Sequence, residues 1–341
     1  MKKIIFFYFL VTTGFMSCND KLDLVEDAPS VPIIYSILDP TESIHYVRIN
    51  KSFNGIGSPY DMAKYPDSIL FGDLLDIKVM IIDNKNEDVV KELNFKRINM
   101  KKDSVNREGK VVFAVEKHYV YINEDGTFPY DNDYVYKLEV RLQNGDLIAL
   151  AETNELYKFN FLSPADSSMV KFWNDRPIST GWSRGYHTGL VTSDITIYYY
   201  EHNWKEKRYY IKTLKTKSKD LIPVKALGYG YSTDSLFIQL EKQIKKDDSP
   251  DIDYRYIIRM TVNYMAVNAD VAEYMSHFGD APSNYYENQQ LQPLSNIKGG
   301  FGLFGAKITG KKDPVFFDEW TRLNFSTLHY YHYEYKVNAN R

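Results

Sequence analysis

Cysteine is almost absent: Cys18 is the only one in 341 residues. An intrachain disulfide needs a second thiol and a thiolate zinc site needs several, so neither is available to this chain. A basic excess is also missing. The formal charge is −3, and no cationic surplus exists to hold a phosphate backbone, which argues against nucleic acid as a partner. After residue 17 no apolar run reaches the roughly 18 residues of a spanning helix. Catalytic signatures are missing as well. There is no Gly-x-Ser-x-Gly elbow, no His-Glu-x-x-His and no Gly-Lys-Ser/Thr phosphate loop. The seven histidines are scattered. His329 and His332 lie three apart in an aromatic run that reads as a strand, where they would face opposite ways. No tandem repeat and no low-complexity tract is present.

What is present begins with the leader MKKIIFFYFLVTTGFMSC. Lys2 and Lys3 supply a positive start, Ile4 to Met16 an apolar stretch too short to span a bilayer, and Ser17 a small residue before Cys18. This is the pattern of an exported bacterial lipoprotein, with residues 1–17 as signal peptide and Cys18 as the lipidated residue. Acylation, for example by palmitate, would consume the only thiol and exclude a cysteine nucleophile. Two or more acyl chains, at about 0.8 kcal/mol per CH₂, would make the lipid a firm anchor. Residues 18–31 read as an acidic tether. Its Asp20, Asp23, Glu26 and Asp27 read either as a solvated linker or as a sorting signal for the cell surface.

The remainder is rich in Tyr (29) and Phe (19), which favour strands and half-buried positions. The expected fold is mainly β: an N-terminal Ig-like β-sandwich over 32–158, then a second β-rich unit over 159–310. A C-terminal aromatic segment follows at 311–341. Strands are expected at 32–39, 44–53, 76–83, 111–122, 134–142, 147–154, 193–203, 208–214, 235–244 and 255–267. The clearest is YVYKLEVRL, with Tyr134, Tyr136, Leu138, Val140 and Leu142 on one face and Asn144-Gly145 closing a hairpin behind it. In the last, Tyr256, Ile258, Met260, Val262 and Tyr264 should share a face. One short helix is expected near 270–278, capped by Asp270 with Glu273 three residues on and ended by Gly279.

Three segments carry a family resemblance. DYVYKLEVRLQNGDLIALAET (133–153), FNFLSP (159–164) and SNIKGGFGLFGA (295–306) resemble motifs of the Bacteroidota outer-membrane lipoprotein family catalogued as domain of unknown function 4249. The resemblance covers most of 18–310 and implies a β-rich lipoprotein, often encoded beside a TonB-dependent outer-membrane transporter. It also fits the acidic residues behind Cys18, common in surface-exposed lipoproteins of that phylum. The family has no established catalytic residues, so none is carried over, and nothing after Gly310 matches.

Candidate chemistry is thin. The glycines of GGFGLFGA suit tight backbone passages better than a phosphate site, with Phe301, Leu303 and Phe304 expected to plug the core. The acidic groups at 131–133 and 247–253 lack EF-hand spacing and read as solvated turns. Trp173, Trp182 and Trp204, with Tyr186, lie in a looser stretch and are either core or contact residues. Trp173, Trp182 and Tyr186 are the candidates for partner binding. The expectation is a non-enzymatic, lipid-anchored outer-membrane accessory protein without cofactor or metal. It would bind a TonB-dependent transporter or another outer-membrane β-barrel, from the cell surface or the periplasmic face. The alternatives are a glycan- or peptide-capturing protein and, third, a hydrolase with an unrecognised site.

Overall fold

Alternation of apolar and polar residues organises most of the chain, and the computed structural model bears out a mainly β fold. It describes residues 30–52, 59–62, 65–72, 74–100, 118–171, 177–183, 185–217, 222–223, 227–232, 235–236, 238–239, 242–243, 249–278, 294–319 and 322. The first half carries β1 (Pro32–Leu38), β2 (His45–Lys51), β3 (Leu75–Asp83), β4 (Val89–Asn94), β5 (Lys96–Asn99), β6 (Tyr119–Asn123), β7 (Tyr134–Leu142) and β8 (Leu147–Asn154). Two helical turns, α1 (Pro59–Met62) and α2 (Pro66–Ile69), join β2 to β3. Then come β9 (Phe161–Ser163), β10 (Met169–Val170), β11 (Ile178–Trp182), β12 (Thr188–Asn203), β13 (Arg208–Lys217), β14 (Ile222–Pro223) and β15 (Gly228–Tyr231). The chain continues through β16 (Ile252–Asn268), helix α3 (Ala269–Phe278), β17 (Ile297–Lys298) and β18 (Phe301–Phe317).

A ten-stranded sheet runs in the order β13-β12-β16-β18-β1-β2-β6-β5, with β10 on β18 and β14 on β12. A five-stranded sheet, β17-β8-β7-β3-β4, packs against part of it. Ile77, Val79 and Ile81 from β3 and Tyr136, Leu138 and Val140 from β7 meet Ile34, Val47 and Ile49 in one core. A small third sheet, β15-β11-β9, completes the fold. YVYKLEVRL alternates as expected through Val140; Leu142 is only half-buried at the strand end. Its hairpin closes through Gly145, whose φ of 90° is a left-handed conformation glycine tolerates without strain.

The hydrogen bonding does not follow the expected division at 158. β1 pairs in parallel with β18, Ile33 opposite Phe301 through Leu38 opposite Ala306. β17 pairs with β8. The first and last described strands therefore share a sheet, and one buried cluster runs from Ile34 to Phe317. The expected boundary at 310 falls inside β18. Buried Asp39 ties the two ends together: its carboxylate accepts from the Thr41 backbone N–H and hydroxyl at 3.0 and 2.6 Å, and from those of Thr309 at 3.1 and 2.7 Å.

Three local expectations are corrected. The described residues between 235 and 243 are helical, not a strand; Leu236, Leu240 and Ile244 recur every four residues, a helical spacing. The shared face of β16 breaks at Ile258, where β16 has one residue more than β12: Tyr198 pairs with Arg259 and Tyr199 with Ile257. This bulge turns Arg255 and Ile257 inward and leaves Tyr256 and Ile258 half-exposed. Helix α3 is capped by Asn268, whose Oδ1 accepts the Val271 N–H at 3.3 Å. Asp270 lies in the first turn and accepts the Thr153 hydroxyl at 2.6 Å. Gly279 lies outside the described residues.

In the glycine segment, Gly302 has φ of 120°, and a Cβ there would collide with the Ile34 carbonyl oxygen. A Cβ on Gly300 would collide with that of Pro32. Absence of side chains is what lets β18 lie against β1. Leu303 and Phe304 are buried as expected, whereas Phe301 is 44% exposed.

Candidate functional site: an aromatic sheet face

The three strands β13, β12 and β16 continue past the end of β18 and carry aromatic residues on their outward face. Cross-strand partners point to the same side of a sheet. Tyr200 pairs with Ile211 on β13 and with Tyr256 on β16, and His202 pairs with Tyr209. The rings touch: Tyr200 lies 4.9 Å from Tyr256 and 6.1 Å from Tyr209, and His202 lies 4.8 Å from Tyr209. The guanidinium of Arg259 sits 4.1 Å over the Tyr198 ring. Phe316 and Met169 extend the same face across β18 and β10. Tyr209, Ile211 and Met169 are 54%, 61% and 72% exposed, so the face is open at both ends.

The opposite side of these strands explains why they hold together. Ile195, Ile197, Tyr199, Met260, Val262, Val315 and Phe317 are buried. Between them Glu201 and Arg255 form an ion pair at 2.7 Å, both nearly inaccessible, with Lys212 at 3.8 Å from Glu201. On the outer face Asp313 accepts from Arg259 and Thr261 and pairs with Lys311 at 2.7 Å. The hydrogen bond from Lys311, with help from Thr261 and Arg259, holds its carboxyl below the usual range. That arrangement holds Arg259 over Tyr198. His202 Nδ1 lies 2.6 Å from Asp253.

A second polar cluster lies inside the fold. Glu155, just beyond β8, has no accessible surface, and neither carboxylate oxygen has a partner in hydrogen-bonding geometry. Burial pushes its pKa up to about 9. The nearby Tyr136 hydroxyl opposes this rise, while Asp131 and Asp133 add to it. The His187 ring reaches Asp133 at 3.4 Å. Among the described residues no group of three or more His, Cys, Asp or Glu is arranged to hold a metal ion.

Of the residues singled out in the sequence, Cys18, Asp20, Asp23, Glu26, Asp27 and Trp173 lie outside the described residues. Trp182 is corrected: it is 1% exposed and packs in the core, so it is not a contact residue. Tyr186 is 59% exposed but stacks on Tyr157 at 5.7 Å, away from the aromatic face strands. The structure therefore does not bring the three partner-binding candidates together. Trp204, at the β12–β13 turn, is half-exposed and donates to the Pro250 carbonyl at 3.2 Å. The face residues are legible in part: the YYY of β12 and the YY of β13 fall within the strands expected at 193–203 and 208–214, but their alignment needs the register.

No protein-family model matches this chain, and no curated protein matches it.

Proposed function

We propose that this chain is a lipid-anchored outer-membrane accessory protein that binds a protein partner, such as a TonB-dependent transporter or another outer-membrane β-barrel, and performs no catalysis. The observation that carries this reading is the aromatic face of β13, β12 and β16. Tyrosine, arginine, methionine and phenylalanine are enriched at protein interfaces, and here they form a connected surface with exposed ends. The leader ending at Cys18 and the resemblance to domain of unknown function 4249 support the membrane setting. In that setting the acidic residues behind Cys18 favour the cell surface over the periplasmic face.

A second reading, capture of a glycan or peptide, draws on the same face, because tyrosine rings beside the His202–Asp253 pair could stack on and bond to a ligand. Co-purification in mild detergent separates the two. The accessory reading expects a β-barrel protein retained through a salt wash and lost from the Tyr209→Ala/Ile211→Ala variant. A chain that purifies alone and binds soluble glycan overturns it. The anchor is tested by mass spectrometry of the mature N-terminus, where an unmodified Cys18 sinks the lipoprotein reading.

A further inference from the structure

Helix α3 covers one side of the ten-stranded sheet at β18 and stops short of β1 and β2. On those two strands Ile34, Leu38, Val47 and Ile49 point into the core. The residues alternating with them point out: Ile33, Tyr35 and Ile37 on β1, and Tyr46, Arg48 and Asn50 on β2. The register aligns them. Ile33 lies between Phe301 and Asn50, and Tyr35 between Leu303 and Arg48. On β18, Leu303 is buried with Val271 and Ala272 of the helix, and a Cβ on Gly305 would collide with Val271. The helix reaches as far as Tyr35, whose ring meets that of Tyr274 edge-on at 6.3 Å. Tyr35, Ile37, Tyr46 and Phe301, with Ile44 just before β2, are each 40–48% exposed. Arg48 is the one charge among these outward positions of β1 and β2, and its Nε donates to the Asn50 side chain at 3.0 Å. Apolar surface gathered in one place marks a contact, whereas singly scattered residues do not.

We propose that this β1–β2 face is a second membrane contact, resting at the headgroup–acyl boundary of the bilayer that holds the lipid of Cys18. This rests on the lipid-anchor reading and names the surface of the fold that the anchor brings to the membrane. The occupant follows from where the tether ends. Residues 18–31 span at most roughly 45 Å, and Ile33, the first outward position, follows them after Pro32 alone. Tethering makes contact of the face with the bilayer intramolecular, so a weak affinity suffices. The composition fits the same occupant. Tyrosine is enriched at membrane–water interfaces, isoleucine and phenylalanine supply apolar area to bury there, and Arg48 can bury its stem while its guanidinium stays among the headgroups. The aromatic face assigned to the protein partner lies towards the other end of β18, where Phe316 pairs with Arg259, so the two surfaces are separate.

The test holds the mature chain on vesicles by an N-terminal hexahistidine tag in place of the lipid. The vesicles contain phosphatidylethanolamine, phosphatidylglycerol and a nickel-chelating lipid. With Cys18→Ser no thiol remains. Tyr46→Cys, or Glu92→Cys on the outward side of the five-stranded sheet, then takes one polarity-sensitive fluorophore. The Tyr46→Cys label should brighten at least twofold on the vesicles and be quenched by nitroxide-bearing acyl chains; the Glu92→Cys label should do neither. Adding Tyr35→Asp/Ile37→Asp should abolish the response of the Tyr46→Cys label. Should that pair fail to fold, Ile44→Asp, at an exposed position just outside β2, should reduce the response at least twofold. No response at Tyr46→Cys, an equal response at both labels, or a response without vesicles that grows with protein concentration, the mark of a second copy, would each overturn the proposal. Because the tag supplies the tether, those outcomes leave the anchor standing. An unmodified Cys18 in the native chain removes the anchor, and the proposal with it, whatever the label reports.

Discussion

Replacing Glu155 by Gln should stabilise this protein, by an amount that grows with pH. The native carboxyl is fully buried with a pKa raised to about 9, against an ordinary value of 4.5. The folded state therefore holds a proton that the unfolded chain has released anywhere between those two values. Where the folded state binds more protons, stability falls as pH rises. The contribution is complete below pH 4.5, declines through the interval and is gone above about pH 9. Each pH unit is worth about 1.4 kcal/mol, so the cost at pH 7 is on the order of 3 kcal/mol. Local hydration of the site would reduce it. Gln keeps the shape and carries no proton to lose.

Urea unfolding of both proteins at pH 5, 7 and 8.5 checks this. The stability difference should be small at pH 5 and reach about 3 kcal/mol at pH 7, a melting shift of roughly 4 °C for a chain of this size. Titration of every other group cancels in the difference. A variant destabilised by the same amount at all three pH values would refute the reasoning, because it would mean that the native carboxyl is ionised and held by a partner.

Gly302→Val should lower stability by about 2 kcal/mol or more, read by thermal melting, because both its φ and the Ile34 carbonyl exclude a side chain. Nucleotide binding lost without a change in melting would contradict this structural role. Trp182→Ala should cost about 3–5 kcal/mol through the cavity it leaves in the core, with partner binding unchanged at temperatures where the variant is folded. Asp39→Asn replaces one acceptor oxygen with an NH2 donor that faces two of the four donors and should cost about 3 kcal/mol; an unchanged urea midpoint would show that the Thr41 and Thr309 bonds contribute nothing.

The strands with strict period-two patterns were legible because each has one buried and one wet face. β7 and β8 are the clearest, and their Asn-Gly turn fixed the register locally. What sequence could not supply was long-range pairing. Nothing in PIIYSIL says that it will lie parallel to a glycine-bearing strand far along the chain, with Ile33 opposite Phe301 and Leu38 opposite Ala306. A two-domain division was therefore natural and is not what the hydrogen bonds describe. The bulge at Ile258 was hidden for a related reason: it exists only relative to β12. The candidate site suffered most. Tryptophans stood out by rarity, yet Trp182 fills core, while the open surface is built from tyrosines whose significance comes from sitting side by side across three strands.

The two ends of β18 then relate the proposed anchor to the proposed contact. The chain enters the fold at Pro32, beside Gly300 and Phe301, where β18 begins. Phe316, at the other end of β18, pairs with Arg259 at the margin of the aromatic face. Seventeen residues separate the beginning and end of that strand, about 50 Å of extended chain. β12 and β13 carry Tyr209 further in the same direction, since Asn203 pairs with Ile252 beyond the last β16–β18 pair. Residues 18–31 reach at most roughly 45 Å when fully extended. A lipid at Cys18 would thus keep Pro32 within roughly 45 Å of the bilayer, with the aromatic face towards the other end of β18. The partner surface that would fit this geometry is an extramembrane segment of a β-barrel protein rather than its lipid-facing wall.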